Sequence, residues 1–354
     1  MNILFLPNWT VYERDEDDIT LQSTDKYVSG EKYWFFKYFP EDTQVDVIDI
    51  QARNILHWIE KKMRFYIWQS VLAFKKRRQY DVVISHGAQS GLMYALLCTL
   101  FDRKGPKHII FDIGGMNGGK SLKIENSLIN FALKSKPYII CHSKIIIENY
   151  RKTFQELIPR TRFIPFGINP EEFAPSLSIV EENHVFSFGY LSRDYKTLMK
   201  AWENIPNTSM KLRIAGFFPL DKVADNVEYI GKISIDRLKK EIQASKFVVL
   251  PMPVYNFSYG QMSFLQSMCL GKTIIVTRTP GSVDYIQDGN GAFFVEPYNA
   301  SDLKNKIEML LSDEDLLRAN NRKASLFVTE HFTEEKMAKN IYKYIETILH
   351  DNAQ

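Results

Sequence analysis

Residues 246–295 read KFVVLPMPVYNFSYGQMSFLQSMCLGKTIIVTRTPGSVDYIQDGNGAFFV, and this stretch decides how the rest of the chain is read. A short, β-rich apolar run ends at Leu250, and prolines then break the chain. A loop carrying Ser258, Tyr259 and Gly260 opens a helix over roughly 261–270, Gly271 stops it, and a second apolar run follows. A strand, a loop and a helix in that order leave unbonded backbone N–H groups and the positive end of a helix dipole at the loop, which suits a diphosphate. Gly260 lets the backbone come close to phosphate oxygens, and Gln261 and Met262 add amides of the first turn. Gln266, further along the helix, carries an amide that can bond ribose hydroxyls.

The same rhythm extends in both directions. Residues 2–6, 45–50, 81–85, 108–113 and 138–141 are short apolar runs with strand character, and 56–74, 89–101 and 122–134 between them have helical spacing. A second set of strands occupies 184–188, 211–215, 227–230, 246–250, 273–277 and 292–295. Near-continuous apolar strands interleaved with helices predict parallel sheets covered on both faces. The fold class is therefore α/β, two Rossmann-like domains facing each other across a cleft, with chemistry in the loops that follow strands. Pro159, Pro165, Gly167, Pro170 and Pro175 place the linker in 159–176. Domains are expected at 1–165, at 166–332 and, as a helix packing back on the first domain, at 333–354, where Met337, Ile341, Tyr344, Ile345 and Ile348 share one side.

Composition sets bounds. With 354 residues, 45% hydrophobic and 25% charged, the chain has room for two cores. Cys98, Cys141 and Cys269 are scattered and odd in number, which points to a reduced, cytoplasmic setting without bridges. The start, MNILFLPNW, lacks a basic leader, and no apolar stretch is long enough to cross a bilayer. A net charge of +3 does not call for nucleic acid.

Several segments together resemble the large retaining family of GT-B glycosyltransferases, family four (glycosyl transferases group 1). RFIPFGINPEEFAP (162–175) is similar to that family's linker, and FGYLSRDYKTLMKAW (188–202) to its phosphate-binding strand–loop–helix. LRIAGFFP and NVEYIGKIS (212–234) resemble its base-binding strands, with Lys232 and Ile233 beside the nucleotide, and 258–291 resembles its Glu-x7-Glu region. The two family glutamates fall on Ser258 and Gln266, and the usual Arg and Lys of the phosphate loop fall on Tyr190 and Tyr195. Arg193 then supplies the cation, helped by Lys196 or Arg278, holding a diphosphate as a fork. The family's N-domain histidine is missing, and Asp112 and Gly114 stand in its region. The resemblance implies transfer from a nucleotide-diphosphate sugar, with UDP the default, to a glycan or lipid-linked acceptor with retention of configuration. Metal independence is expected if backbone amides and Arg193 supply all the positive charge, and analogy suggests a setting in bacterial surface-polysaccharide synthesis.

Other features compete. Gly114–Ser121 matches Gly-x4-Gly-Lys-Ser and alone reads as a P-loop nucleotide hydrolase or kinase; the alternative is a glycine-rich loop of the cleft. The missing glutamate also allows a catalytically inactive sugar-nucleotide-binding protein. Asp15–Asp18 contains Asp-x-Asp, read here as a solvated acidic loop rather than a metal site. His86 and Asp112 each end a strand and are candidates for acceptor binding or proton transfer, against structural and turn-capping roles; His142 is read as structural. The stretch 61–78 holds seven basic residues and no acidic one, with Phe65, Trp68 and Leu72 able to share a helical face. It fits either a buried helix with solvated ends or contact with the inner face of a membrane.

Overall fold

The computed structural model describes residues 1–13, 21–50, 54–63, 65–102, 104–114, 116, 126–189, 193–205, 209–217, 224–257 and 259–350. The chain divides into two compact units, one of Met1–Pro165 with Asn256–Ser258 and Met337–Gln354, the other of Phe166–Tyr255 with Tyr259–Lys336.

In the first unit, β1 (Asn2–Leu6), β2 (Gln44–Val47), β3 (Val82–His86), β4 (Lys107–Asp112), β5 (Tyr138–Cys141) and β6 (Thr161–Phe163) form one parallel sheet in the order β2-β1-β3-β4-β5-β6. Alternation along β1 sends Leu4 and Leu6 to a core with Ala73, Tyr94 and Cys98. Phe5, on the other face, meets Phe36 of a helical turn at Trp34–Tyr38, ring centroids 5.3 Å apart. Helices α1 (Asn54–Met63), α2 (Ile67–Lys76), α3 (Ala88–Phe101), α4 (Asn126–Ala132) and α5 (Lys144–Thr153) fill the connections.

In the second unit, β7 (His184–Gly189), β8 (Lys211–Gly216), β9 (Val227–Gly231), β10 (Val248–Leu250), β11 (Ile274–Thr277) and β12 (Ala292–Val295) are ordered β9-β8-β7-β10-β11-β12. Strand residues alternate between two cores. Phe186, Leu250, Val276 and Phe294 pack under α7 (Ile235–Ala244), α8 (Gln261–Cys269) and α10 (Glu314–His331). Val185, Leu212, Val249, Ile275 and Val295 pack under α6 (Tyr195–Trp202) and α9 (Ala300–Ser312). A strand buried on both faces has no polar side to show, which is why these runs read as continuous apolar sequence.

The last helix, α11 (Glu334–His350), buries Met337, Ile341, Ile345 and Ile348; Tyr344 donates its hydroxyl to the Arg160 carbonyl at 2.7 Å, and Tyr342 meets Phe39.

Three local expectations change. The helix expected over 56–74 is two helices, because the Glu60 carboxylate accepts the Trp68 amide at 2.6 Å and starts α2 afresh, with Tyr66 outside helical geometry. Phe65 thus lies between helices and shares no helical face with Trp68 and Leu72. Within the proline-rich 159–176, residues 161–163 still pair, at the sheet edge where missing donors cost least. The three cysteines are free and buried, and burial pushes the Cys98 thiol up to about 11 and Cys269 to about 12, which leaves both inert near neutrality.

Candidate functional site

A parallel sheet opens a crevice where successive connections turn in opposite directions. In the second unit β7, β8 and β9 step one way and β10 returns beside β7, so the crevice lies between the carboxyl ends of β7 and β10. The loop after β7 holds Arg193, and the loop after β10 leads through Tyr259 and Gly260 into α8. The Asp194 amide donates to the Pro251 carbonyl at 2.9 Å and ties the two loops together. Asp194 also caps α6 by accepting from Thr197.

Arg193 folds back over its own strand. Its Nε donates to the Phe188 carbonyl at 3.0 Å, and its Nη2 donates to Ser263 Oγ, in the first turn of α8, at 2.9 Å. That path needs glycine at 189, where any Cβ would sit 2.5 Å from the guanidinium carbon. Gly216 is equally constrained, since a Cβ there would fall 2.2 Å from the Gly189 carbonyl oxygen. Gly260 has φ +86, a left-handed geometry that L side chains avoid, and caps α8 without a side-chain bond, so the cap residue itself adds no side chain over the helix start. Burial lowers the Arg193 pKa, yet guanidinium stays charged. Burial raises the Tyr259 hydroxyl, which donates to the Pro253 carbonyl, and keeps it neutral. The crevice therefore joins one poorly solvated cation to a glycine-capped helix start.

The other expected donor residues lie in several places. Gln261 and Met262 stand half-buried in the first turn of α8, and Gln266 is 4% exposed further along. Lys232 is exposed after β9, and Ile233 packs on the core. Lys196 lines a groove of about 920 Å³ with Asp194, Lys200, Lys304 and Tyr298. Arg278 pairs with Glu296 at 3.2 Å and lies over Phe294, so its charge is already matched at the edge of the sheet. Ser258, Tyr190, Asp15–Asp18 and residues 115 and 117–121 of the glycine-rich stretch lie outside the described residues. Among the described residues, no group of three or more His, Cys, Asp or Glu could hold a metal.

The first unit has its own crevice, between β1 and β3. Asn8 and Trp9 follow β1, and His86 and Gly87 end β3. His86 Nδ1 lies 3.2 Å from Asn8 Oδ1, and because an amide oxygen only accepts, the imidazole carries its proton on Nδ1. The ring is 8% exposed and stands against Trp9 at 4.7 Å, Phe111 at 5.9 Å and Trp34 at 6.1 Å. Burial, then His142, pushes its pKa down to about 3, so it is neutral and weakly basic. Asp112 is fully buried: Oδ1 accepts the Gly114 amide at 2.9 Å and Oδ2 accepts the Tyr150 hydroxyl at 2.5 Å, the pattern of a turn cap. His142 donates from Nδ1 to the Ile164 carbonyl at 2.7 Å.

Three residues of the crevice between β7 and β10, Ser263, Gly189 and Gly216, do not stand out in the sequence. A signal existed for the glycines: neighbouring strands β7, β8 and β9 all end in glycine, which leaves their carboxyl edge unobstructed.

Residues 169–326, all but a few within the second unit, match the family described as glycosyl transferases group 1. An uncharacterized glycosyltransferase of Methanocaldococcus jannaschii is 23% identical over 250 residues, 66% of this chain and 67% of that protein. A second from the same organism is 22% identical over 172 residues, 45% of this chain and 43% of that one. Among solved structures, Anabaena HepE in complex with UDP matches with TM-score 0.69 and 13% identity, over 98% of this chain and 100% of that one. Sucrose-phosphate synthase of Thermosynechococcus elongatus matches with TM-score 0.73 and 15% identity, over 99% and 100%. These likenesses show the fold, α/β of the GT-B kind, and the family match with the archaeal relatives supports a glycosyltransferase of group 1.

Proposed function

We propose that the protein is a retaining glycosyltransferase that takes a sugar from a nucleoside-diphosphate sugar, by default a UDP-sugar, and passes it to a glycan or lipid-linked acceptor. The observation that carries this reading is the Arg193 guanidinium held at the first turn of α8 between the ends of β7 and β10. As the bond from the sugar to the diphosphate breaks, negative charge grows on the leaving oxygen. A fixed cation and a helix dipole in a poorly solvated crevice stabilise that charge more than the ground state. Solved complexes of HepE with UDP and with UDP-glucose lend support to a nucleotide-sugar donor.

His86 at about 3 is too weak a base to take an acceptor proton near neutrality, and both oxygens of Asp112 are engaged. That favours the departing diphosphate itself as the proton acceptor, on the face the sugar leaves from, which retains configuration. Positive charge comes from the guanidinium and backbone N–H groups, so no metal is required.

Calorimetric titration tests the reading. UDP should bind the wild type and bind Arg193→Ala at least about tenfold more weakly, the loss of a charge-assisted pair. Equal affinity in the two proteins would remove the donor site from this crevice. Turnover with excess EDTA should stay within about twofold of its value without chelator, and NMR of the first product should show the donor's anomeric configuration.

A further inference from the structure

The carboxyl ends of α2 and α3 form one surface that the sugar-transfer reading does not use. α3 has no charged residue from Ala88 to Phe101, and its last two residues, Leu100 and Phe101, are 52% and 71% exposed. Phe101 meets Phe74 of α2 with ring centroids 6.1 Å apart, and Arg77 lies over the Phe74 ring at 3.8 Å. Lys75 and Lys76 end α2, and Arg78 and Lys104 follow α2 and α3 closely in the chain; all four side chains are exposed, Arg78 lying 3.7 Å from Asp102.

The charge of the segment is one-sided. Between residues 61 and 111 there are ten Lys or Arg and only two carboxylates, Asp81 and Asp102. Both carboxylates are engaged: Asp102 pairs with Arg77 at 2.6 Å, and Asp81 accepts the Asn2 amide at 2.8 Å. An exposed Leu-Phe pair costs free energy in water and marks a contact surface. Like charge around it opposes stacking on a second copy, while an anionic surface offers both a match for the lysines and a place for the rings. Among the described residues no helix can cross a membrane, so the contact is with a surface.

We propose that the joined ends of α2 and α3 dock on an anionic lipid bilayer, Leu100 and Phe101 entering the acyl boundary while Lys75, Lys76, Arg78 and Lys104 meet headgroup phosphates. This surface differs from the single face expected over 61–78, since Phe65 is off the helix and Trp68 lies at the far end of α2. Docking makes no use of Arg193 or α8, so it stands or falls independently of sugar transfer.

Sedimentation with phosphatidylcholine vesicles containing about one third phosphatidylglycerol tests it. The wild type should pellet with these vesicles, remain in solution with phosphatidylcholine alone, and be released at about 0.5 M salt. Leu100→Ser with Phe101→Ser should weaken binding at least tenfold, and Lys75→Glu with Lys76→Glu should weaken it further, about fivefold or more per lysine removed. All four positions are exposed, and unchanged UDP affinity and melting temperature show that each variant is folded. Undiminished pelleting of the folded double serine variant overturns the proposal, as does a wild type that ignores anionic vesicles. A wild-type dimer that the serine changes make monomeric, without vesicle binding, overturns it in favour of self-association.

Discussion

Between β1 and β3 of the first unit lie Asn8, Trp9 and His86; between β7 and β10 of the second lie Arg193, Gly260 and the first turn of α8. Sheet winding produces both crevices by the same rule, and side chains then furnish them in opposite ways. The first is lined by aromatic rings and a neutral imidazole. The second has glycine-ended strands and a desolvated cation. Topology thus decides where a crevice opens, and side chains decide its charge; the proposed function puts the diphosphate at the second.

The largest test of that contrast sets Arg193→Ala against His86→Ala. We expect UDP-sugar turnover, read as kcat/KM, to fall by about 10²–10³-fold for the arginine, as when a preorganised donor to developing charge is lost. The histidine variant should lose less than about tenfold, because a weak base contributes little proton transfer. Similar losses would mean that both crevices share the chemistry.

Gly260 sharpens the same comparison. Gly260→Val forces a β-branched side chain into left-handed geometry against Met252 and should cost about 1–2 kcal/mol, with weaker UDP binding. Gly260→Asn should retain more of both, because asparagine tolerates that geometry. Identical UDP affinity in the two variants would remove the close backbone approach from the account.

The last test concerns acid and leaves the donor chemistry aside. His86, His108 and His142 of the first unit are buried with pKa values pushed down to about 3, 3 and 4 from 6.5. Folded, they stay neutral; unfolded, they take up protons below 6.5, so the unfolded state binds more protons and stability falls as pH drops toward 4. Each contributes up to about 2 kcal/mol of loss by pH 5. Four of the five tryptophans, Trp9, Trp34, Trp58 and Trp68, belong to this unit, so urea unfolding followed by tryptophan fluorescence reports it. A midpoint unchanged between pH 7 and 5 would contradict the buried neutral state, and His108→Gln should flatten the dependence.

Much of the fold was legible because both-face burial demands Val- and Ile-rich runs, and those are visible residue by residue: 138–141 and 292–295 become β5 and β12 with the same limits. The break in 56–74 was not legible, because helical spacing cannot reveal that Glu60 reaches over to Trp68. At the donor crevice, Arg193 and Gly260 were readable as loop residues following strands. Ser263 was not, since its bond to Arg193 joins residues seventy apart in sequence. The pairing of Arg278 with Glu296 was hidden in a different way: neighbouring parallel strands end together, so the side chains after β11 and β12 meet although eighteen residues separate them.

Helix α11 leaves a mark on how the protein is made. Its buried face belongs to the first unit, yet it emerges from the ribosome only after the whole second unit has been synthesised. The nascent first sheet must therefore wait, with the ground that Tyr342 and Tyr344 will cover still open, while its neighbour completes its own core. Clipping the chain before Met337 would accordingly damage the half of the molecule made first.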